Sequence, residues 1–401
     1  MDQLELIREL ARENASRIVF LILDGLGGIP VTGQGKTELE LAHRPHLDRL
    51  ATEGVTGLLD PIAPGITPGS GPSHLALFGY DPVRYNIGRG VLEALGIDFP
   101  LEHGDVAIRI NFCTVDQDGV ITDRRAGRIS TEKCRTLAAE LDTIQVPGAR
   151  IFVRPVKEHR AALVLRAPGL GSALNDTDPQ LEGRKPNALS PGDEPSKKTV
   201  EITNRFLDQA RRVLGPRHPA NFLLLRGFAA FHRYPGFAEL YKLKAAAIAQ
   251  YPMYKGLARM LGMEILPVGE KLPHLLDVLE ARFQEFTFFY VHVKKTDSAG
   301  EDGDWARKRE VIEAVDGLIP RLVALQPEVL VVTGDHSTPA GLKSHSWHPL
   351  PALIWSRTAR PDEVTEFTER ACARGGLGRL PSTSLMPLAL AHALKLEKFG
   401  A

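Results

Sequence analysis

A chain of 401 residues, 43% hydrophobic and 24% charged, is long enough for two domains and a sizeable core, and one domain can be inserted into the other. Its 49 Lys+Arg equal its 49 Asp+Glu, so a formal net charge of zero excludes a basic field that would hold nucleic acid or an anionic membrane surface; any anion site must be local. Cys113, Cys134 and Cys372 lie far apart, which argues against a disulfide framework and a thiolate zinc site and fits a reducing cytoplasm.

In chain order, residues 1–20 read as an amphipathic helix carrying acids, without the basic segment, apolar run and cleavage site of a signal peptide. No segment reaches the roughly 18 uninterrupted apolar residues of a membrane span. Ile18 to Leu23 predicts a buried strand running into Asp24-Gly25. Next, the Gly- and Pro-rich stretch Thr67 to His74 leads into apolar Leu75 to Phe78 and places Ser70 on a tight turn at a helix start. Between Leu101 and Val200 the segments shorten and alternate, as in Ala107 to Phe112 and Ala161 to Leu165. This predicts an inserted α+β cap over 101–199 and a discontinuous core from 1–100 and 200–401. Ala167 to Lys198, dense in turn residues, predicts a long loop, after which Thr199 to Leu214 is helical. Phe286 to Val293 predicts a strand leading to Asp297, with Ser298-Ala299-Gly300 a short turn before a helix near Asp304. Val329 to Val332 predicts a strand leading to Thr333-Gly334-Asp335-His336. Apolar strands alternating with helices define an α/β fold with a largely parallel sheet flanked by helices.

Three of these strands each deliver a carboxylate just past their ends. Ligands of open α/β sheets bind there, so Asp24, Asp297 and Asp335 can converge. With His336 and His345 they form an oxygen and imidazole set suited to Mn²⁺, Mg²⁺ or Zn²⁺, singly or as a pair. Turn chemistry accounts for Asp24 or Asp335 alone, but less easily for Asp335-His336 followed by Ser344-His345-Ser346. Ser70 is a candidate nucleophile if a metal lowers its hydroxyl pKa; without the metal set, Ser70 or Ser73 simply caps a helix. Neither a Gly-x-Ser-x-Gly elbow nor a P-loop pattern is present. Arg124, Arg125 and Arg128 follow Asp123, and Arg160 follows His159; arginines suit bidentate anion recognition, although a charge run is as readily a solvated face. Arg226 and Lys255 are single cations beside apolar residues.

The segments Ile22 to Gly28 and Thr37 to Gly54 resemble the opening of alkaline phosphatase superfamily enzymes. Pro68 to Pro82 is similar to the nucleophile segment of archaeal-type cofactor-independent phosphoglycerate mutases, and Lys295 to Asp304, Thr333 to Pro339 and Lys343 to Pro351 follow in that family's order. The resemblance implies an alkaline phosphatase-like core with an inserted cap and two divalent ions, Mn or Mg first and Zn as a third candidate. It implies that Ser70, four residues before His74, is transiently phosphorylated. Asp24, Ser70, Asp335 and His336 would hold one ion; Asp297 and His345 would hold the other. Glu301 stands where the family usually has a histidine and would be a carboxylate ligand. Arg125 and Arg128 fall where paired substrate arginines are expected, and Arg160 and Lys255 would add substrate contacts. The implied activity interconverts 3-phosphoglycerate and 2-phosphoglycerate without 2,3-bisphosphoglycerate, in glycolysis and gluconeogenesis; a homo-oligomer is compatible with it. The alternative is a metal-dependent phosphomonoesterase or phosphonate hydrolase on the same core.

Overall fold

A computed structural model describes residues 3–85 and 87–400. The chain forms two compact units, Met1–Asn86 with Tyr234–Ala401, and Ile87–Arg233. Strands are numbered in chain order: β1 (Ile18–Leu23), β2 (Val55–Asp60), β3 (Val106–Val115), β4 (Ile121–Asp123), β5 (Arg150–Lys157), β6 (Arg160–Arg166) and β7 (Phe222–Ala230). They continue with β8 (Ala245–Ile248), β9 (Glu264–Ile265), β10 (Phe288–Val293), β11 (Val329–Thr333), β12 (Leu350–Ser356) and β13 (Gly378–Pro381).

The first unit holds an eight-stranded sheet in the order β13-β2-β12-β11-β1-β10-β8-β9. β1 pairs in parallel with both β10 and β11, and only β12 runs against its neighbours, so the sheet is largely parallel as expected. Every residue of β1, β10 and β11 is buried, because helices cover both sheet faces. The register sets Leu23 opposite Val293 and Ile22 opposite Thr333, so the three strands end level. Asp24, Asp297 and Asp335 all follow those ends.

The second unit carries a five-stranded sheet, β4-β3-β6-β5 with β7 also on β3, in which every pairing is antiparallel. Helices Thr131–Asp142 and Glu194–Leu214 share its apolar core with one sheet face. Helix Arg89–Gly96 also packs on β3 and β7. Gly90 permits that approach, since a Cβ there would lie 2.2 Å from the Ala107 carbonyl oxygen. This unit is wider than the expected 101–199. Helix Arg89–Gly96 and β7 belong to it because β3 is where both find their partners. The loop expected over 167–198 ends at Asp193, which caps helix Glu194–Leu214 by accepting from Ser196 N.

A second correction concerns Ser298-Ala299-Gly300, which is helical and not a turn. Helix Lys295–Asp302 carries Asp297 in its first turn, where a carboxylate suits the dipole, and stops at left-handed Gly303. Among the described residues no helix is long and apolar enough to cross a membrane.

Candidate metal centre and nucleophile

The level strand ends bring the acids together within the first unit. Asp24, Asp297, Asp335 and His336 are each fully buried. Gly25 makes the approach feasible: its φ is +65°, its N–H donates to Asp335 Oδ1 at 3.0 Å, and a Cβ would lie 2.9 Å from the Asp297 Cα. Two clusters result, Asp24 with Asp335 and His336, and Asp297 with His336 and His345, each with candidate ligand atoms within 4.8 Å of one another. His336 Nε2 lies 3.2 Å from Asp24 Oδ1 and 3.1 Å from Asp335 Oδ2. Thr338 Oγ1 donates to Asp297 Oδ1 at 2.6 Å and lies 2.9 Å from His336 Nδ1. A hydroxyl spent on Asp297 must accept from His336, so Nδ1 carries a proton while Nε2 is turned toward Asp24 and Asp335. His345 stacks on His336 at 3.6 Å between ring centroids, and its Nε2 lies 3.7 Å from Asp297 Oδ1.

Glu301, four residues past Asp297 on the same helix, is 54% exposed at its side chain and stands 4.0 Å from His345 Nε2. It sits at the rim of the second cluster. Ser70 is the first residue of helix Ser70–Leu77, whose N-cap Gly69 offers no side-chain cap to the first-turn N–H groups. Ser70 Oγ lies 3.4 Å from His336 Nε2. Ser73 is committed elsewhere, with its hydroxyl 3.0 Å from Ser70 O and 3.4 Å from Asp335 Oδ2. His74 Nδ1 lies 2.9 Å from Ser70 O and 3.2 Å from Asp335 Oδ2.

Three groups at this site escaped the sequence reading. Lys294 Nζ lies 3.1 Å from Asp24 Oδ2 and also contacts Asp297 Oδ2. Tyr254 donates to Asp24 Oδ2, and its ring lies 3.8 Å from that of His292, whose Nε2 is 3.3 Å from the same oxygen. The signal was a histidine inside a buried strand, at the fifth position of Phe-Phe-Tyr-Val-His-Val, with a lysine directly after the strand. On helix Pro252–Met260 it is Tyr254 that reaches the acids, while Lys255, the residue chosen from sequence, is its half-buried neighbour.

Burial alone would raise the Asp24 pKa, but Lys294, with His292 and His336, holds it well below the usual carboxylate range. Asp335 is also lowered: burial and Asp24 push it up, and His336 and His74 outweigh them. Burial opposes protonation of His336, yet Asp335, Asp24 and Asp297 lift it to about 9. Burial, with Asp24 and Asp335 beside it, raises Tyr254 far above its ordinary value, so it remains a phenol. Asp24 Oδ1 is buried and accepts no hydrogen bond. An unpaired carboxylate oxygen facing an imidazole and a second carboxylate is what a divalent cation would satisfy, and the donor set is of the right kind.

In the second unit, Arg124 is paired with Asp178 at 3.0 and 2.7 Å. Arg125 and Arg128 are exposed on a turn fixed by Asp123, which accepts from Arg125 N and Gly127 N. Arg160 stands opposite Asn111, while Arg109, two residues before Asn111 on β3, pairs in register with Arg226. Arg109 is 5% exposed and lies 3.5 Å from Glu93. Burial brings its pKa down to about 10, with Arg89, Arg160 and Arg226 acting against Glu93. The Nε atoms of Arg160 and Arg226 are buried without hydrogen-bond partners. A cavity of about 1010 Å³ elsewhere in this unit, lined in part by Asp116, Asn187, Asn204 and Arg211, is lined by none of these arginines.

A largely parallel α/β sheet, acids and imidazoles clustered at level strand ends, and a serine at a neighbouring helix start define an α/β protein with a candidate divalent-metal centre beside a candidate nucleophile. A family profile described as 2,3-bisphosphoglycerate-independent phosphoglycerate mutase matches residues 51–221. Proteins of Thermotoga petrophila and Thermus thermophilus, each named "Probable 2,3-bisphosphoglycerate-independent phosphoglycerate mutase", are 50% and 48% identical, with both chains of each pair covered completely. A Pyrococcus horikoshii protein of solved structure superposes with TM-score 0.84 at 30% identity, covering 97% of this chain and 100% of its own. The structure titled cofactor-independent phosphoglycerate mutase from Thermoplasma acidophilum gives 0.73 at 34%, over 94% of this chain and 100% of its own. The chain belongs to the 2,3-bisphosphoglycerate-independent phosphoglycerate mutase family.

Proposed function

We propose that the chain interconverts 3-phosphoglycerate and 2-phosphoglycerate through a phosphoserine at Ser70, without 2,3-bisphosphoglycerate, as a cytoplasmic enzyme of glycolysis and gluconeogenesis. The observation that carries this reading is Ser70 Oγ 3.4 Å from His336 Nε2, the imidazole common to both acidic clusters. Asp24, Ser70, Asp335 and His336 would hold one divalent ion, and Asp297 and His345 with Glu301 a second; such ions lower a hydroxyl pKa and neutralise phosphoryl charge. Carboxylate-rich ligation favours Mn²⁺ or Mg²⁺ over Zn²⁺.

Ser70 Oγ attacks phosphorus, the bond from phosphorus to the C3 oxygen breaks, and the serine proton ends on that oxygen. First-turn N–H groups of helix Ser70–Leu77 favour an anion at this point. The glycerate 2-hydroxyl oxygen then attacks that phosphorus, the bond from phosphorus to Ser70 Oγ breaks, and the 2-hydroxyl proton ends on Ser70 Oγ. Arg160, with Arg109 and Arg226, supports binding of the substrate's anionic groups; Arg125, Arg128 and Lys255 are further candidates. Retaining glycerate while excluding water separates this reaction from phosphate-ester hydrolysis.

The test is an enolase-coupled assay on chelated protein with 3-phosphoglycerate, graded Mn²⁺ and no 2,3-bisphosphoglycerate. Metal-dependent formation of 2-phosphoglycerate is expected. Free phosphate as the main product would refute the mutase reading in favour of the phosphomonoesterase.

A further inference from the structure

The two acidic clusters share a cation as well as an imidazole. Lys294 immediately follows β10, and its ammonium reaches Asp24 Oδ2 at 3.1 Å and touches Asp297 Oδ2. The other oxygen of each carboxylate lies nearer a different histidine: Asp24 Oδ1 is 3.2 Å from His336 Nε2, and Asp297 Oδ1, which also accepts from Thr338, is 3.7 Å from His345 Nε2. Tyr254 also donates to Asp24 Oδ2, so that oxygen is doubly engaged while Oδ1 accepts nothing. The ammonium is itself held, 20% exposed at the side chain and 5.6 and 5.7 Å from the ring centroids of Tyr251 and Tyr254.

We propose that Lys294 is a positioning residue shared by both clusters, a fixed cation that engages one oxygen of Asp24 and one of Asp297 and leaves the other of each to face a histidine. Its charge has a second effect. Three buried carboxylates, Asp24, Asp297 and Asp335, repel one another, and Lys294 offsets part of that repulsion when no divalent ion is bound. A divalent ion entering either cluster is repelled by the same ammonium. Lys294 thus keeps the acids assembled between ions and weakens ion binding, which makes the ions exchangeable. This rests on the metal centre of the proposed function and not on its substrate.

Thermal unfolding of the full chain, in chelator and across a Mn²⁺ titration, tests it in wild type, Lys294→Met, Lys294→Gln and Lys295→Met. Lys294→Met is expected to lose more Tm in chelator than in saturating Mn²⁺, and to reach half-maximal stabilisation at about tenfold less Mn²⁺. Lys294→Gln retains hydrogen-bond donors without charge and should show the same lowered Mn²⁺ requirement, so it carries the test if Lys294→Met does not fold. Lys295→Met removes an equal charge from an exposed neighbour and should match wild type. An equal Tm loss with and without Mn²⁺, or a higher Mn²⁺ requirement in the Lys294 variants, overturns the proposal. No Mn²⁺-induced rise in wild-type Tm would overturn the metal centre and this proposal with it. Turnover is not read, so neither result depends on whether the enzyme is a mutase or a phosphatase.

Discussion

Replacing Lys308 by Met removes a fully buried ammonium that ties together the two loops carrying the candidate ligands. Lys308, on helix Trp305–Asp316, donates to Gly27 O and to Thr338 O, both at 2.9 Å. Gly27 is three residues past Asp24, and Thr338 donates to Asp297. Burial lowers the lysine's pKa, while Glu38 and Glu369 act to raise it. Those glutamates fasten the same loops, Glu38 accepting from Ala340 N at 2.8 Å and Glu369 from Gly28 N at 3.0 Å. Each lost charge-assisted hydrogen bond costs about 1.5–3 kcal/mol, and both carbonyl oxygens are left without this donor. Methionine fills the lysine stem and no longer requires a buried charge, which offsets part of the loss. A net destabilisation of about 3 kcal/mol follows, or about 6–12 °C in Tm for a unit of this size. Calorimetry in chelator reads this without interference from bound ions, and a Mn²⁺ titration should show weaker half-saturation because the ligand loops are no longer tied. A fall in Tm below about 3 °C would refute the assignment of Lys308 as the tie between these loops.

Ser70→Ala should abolish turnover with the fold intact, whereas Ser73→Ala, which loses contacts to Ser70 O and Asp335, should keep much of it; the reverse pattern in the enolase-coupled assay defeats the nucleophile assignment. Glu301→Ala should raise the Mn²⁺ concentration needed for activity, and Glu301→His should restore activity with a shift toward Zn²⁺; unchanged metal dependence in the Ala variant removes Glu301 from the ligand set. Arg109→Met or Arg160→Met should raise KM for 3-phosphoglycerate more than Arg125→Ala does, and equal effects would contradict the buried cluster as the anion site. Burial, reinforced by Arg160, brings the His159 pKa down to about 4. An unfolded histidine titrates near 6.5, so the stabilising contribution of neutral His159 is present above about pH 6.5 and is lost as pH falls toward 4. His159→Gln should therefore narrow the difference between urea midpoints at pH 7.5 and pH 4.5, and an undiminished difference would assign the acid sensitivity to other groups.

The ligand-bearing strands were legible because a strand buried on both faces must be apolar at every position. Ile18 to Leu23 and Val329 to Val332 announce themselves without help from the rest of the chain. Parallel pairing then makes the residue just past each such strand a neighbour of the others, which is why Asp24 and Asp335 could be named together. The limits of the inserted unit were not legible for the same reason. Phe222 to Leu225 reads like a core strand of the first unit, and only its pairing with β3 assigns it to the second. Helix Lys295–Asp302 was hidden because Ser-Ala-Gly is a weak helical stretch; its start directly after β10 and its end at Gly303 are set by tertiary context.

The cations show which sequence signal carries the more information. Arg124, Arg125 and Arg128 drew notice as a run, yet Arg124 is spent on Asp178 and the other two are exposed on a turn. Charges that stand together in sequence can be solvated together, so a run carries little information about function. An isolated cation within apolar residues cannot be solvated in the fold without displacing its neighbours, and must find buried partners or go unpaired. Arg109 in Val-Ala-Ile-Arg-Ile and Arg226 after Leu-Leu-Leu are of this kind, and Lys294, directly after the buried Val-His-Val although followed by Lys295, is close to it. Arg109 reaches Glu93, Arg226 comes within 3.6 Å of Asp178, and Lys294 reaches Asp24 and Asp297. Only Asp297, three residues past Lys294, is near its cation in sequence, so the need for a counter-charge is readable from the chain while its identity is largely not. For Arg160 and Arg226 the Nε atoms are buried without hydrogen-bond partners, and although Asp176 and Asp178 stand near Arg226, those two donors are the ones an anion would satisfy, which is why the Arg160 variant is a direct test of the proposed anion site.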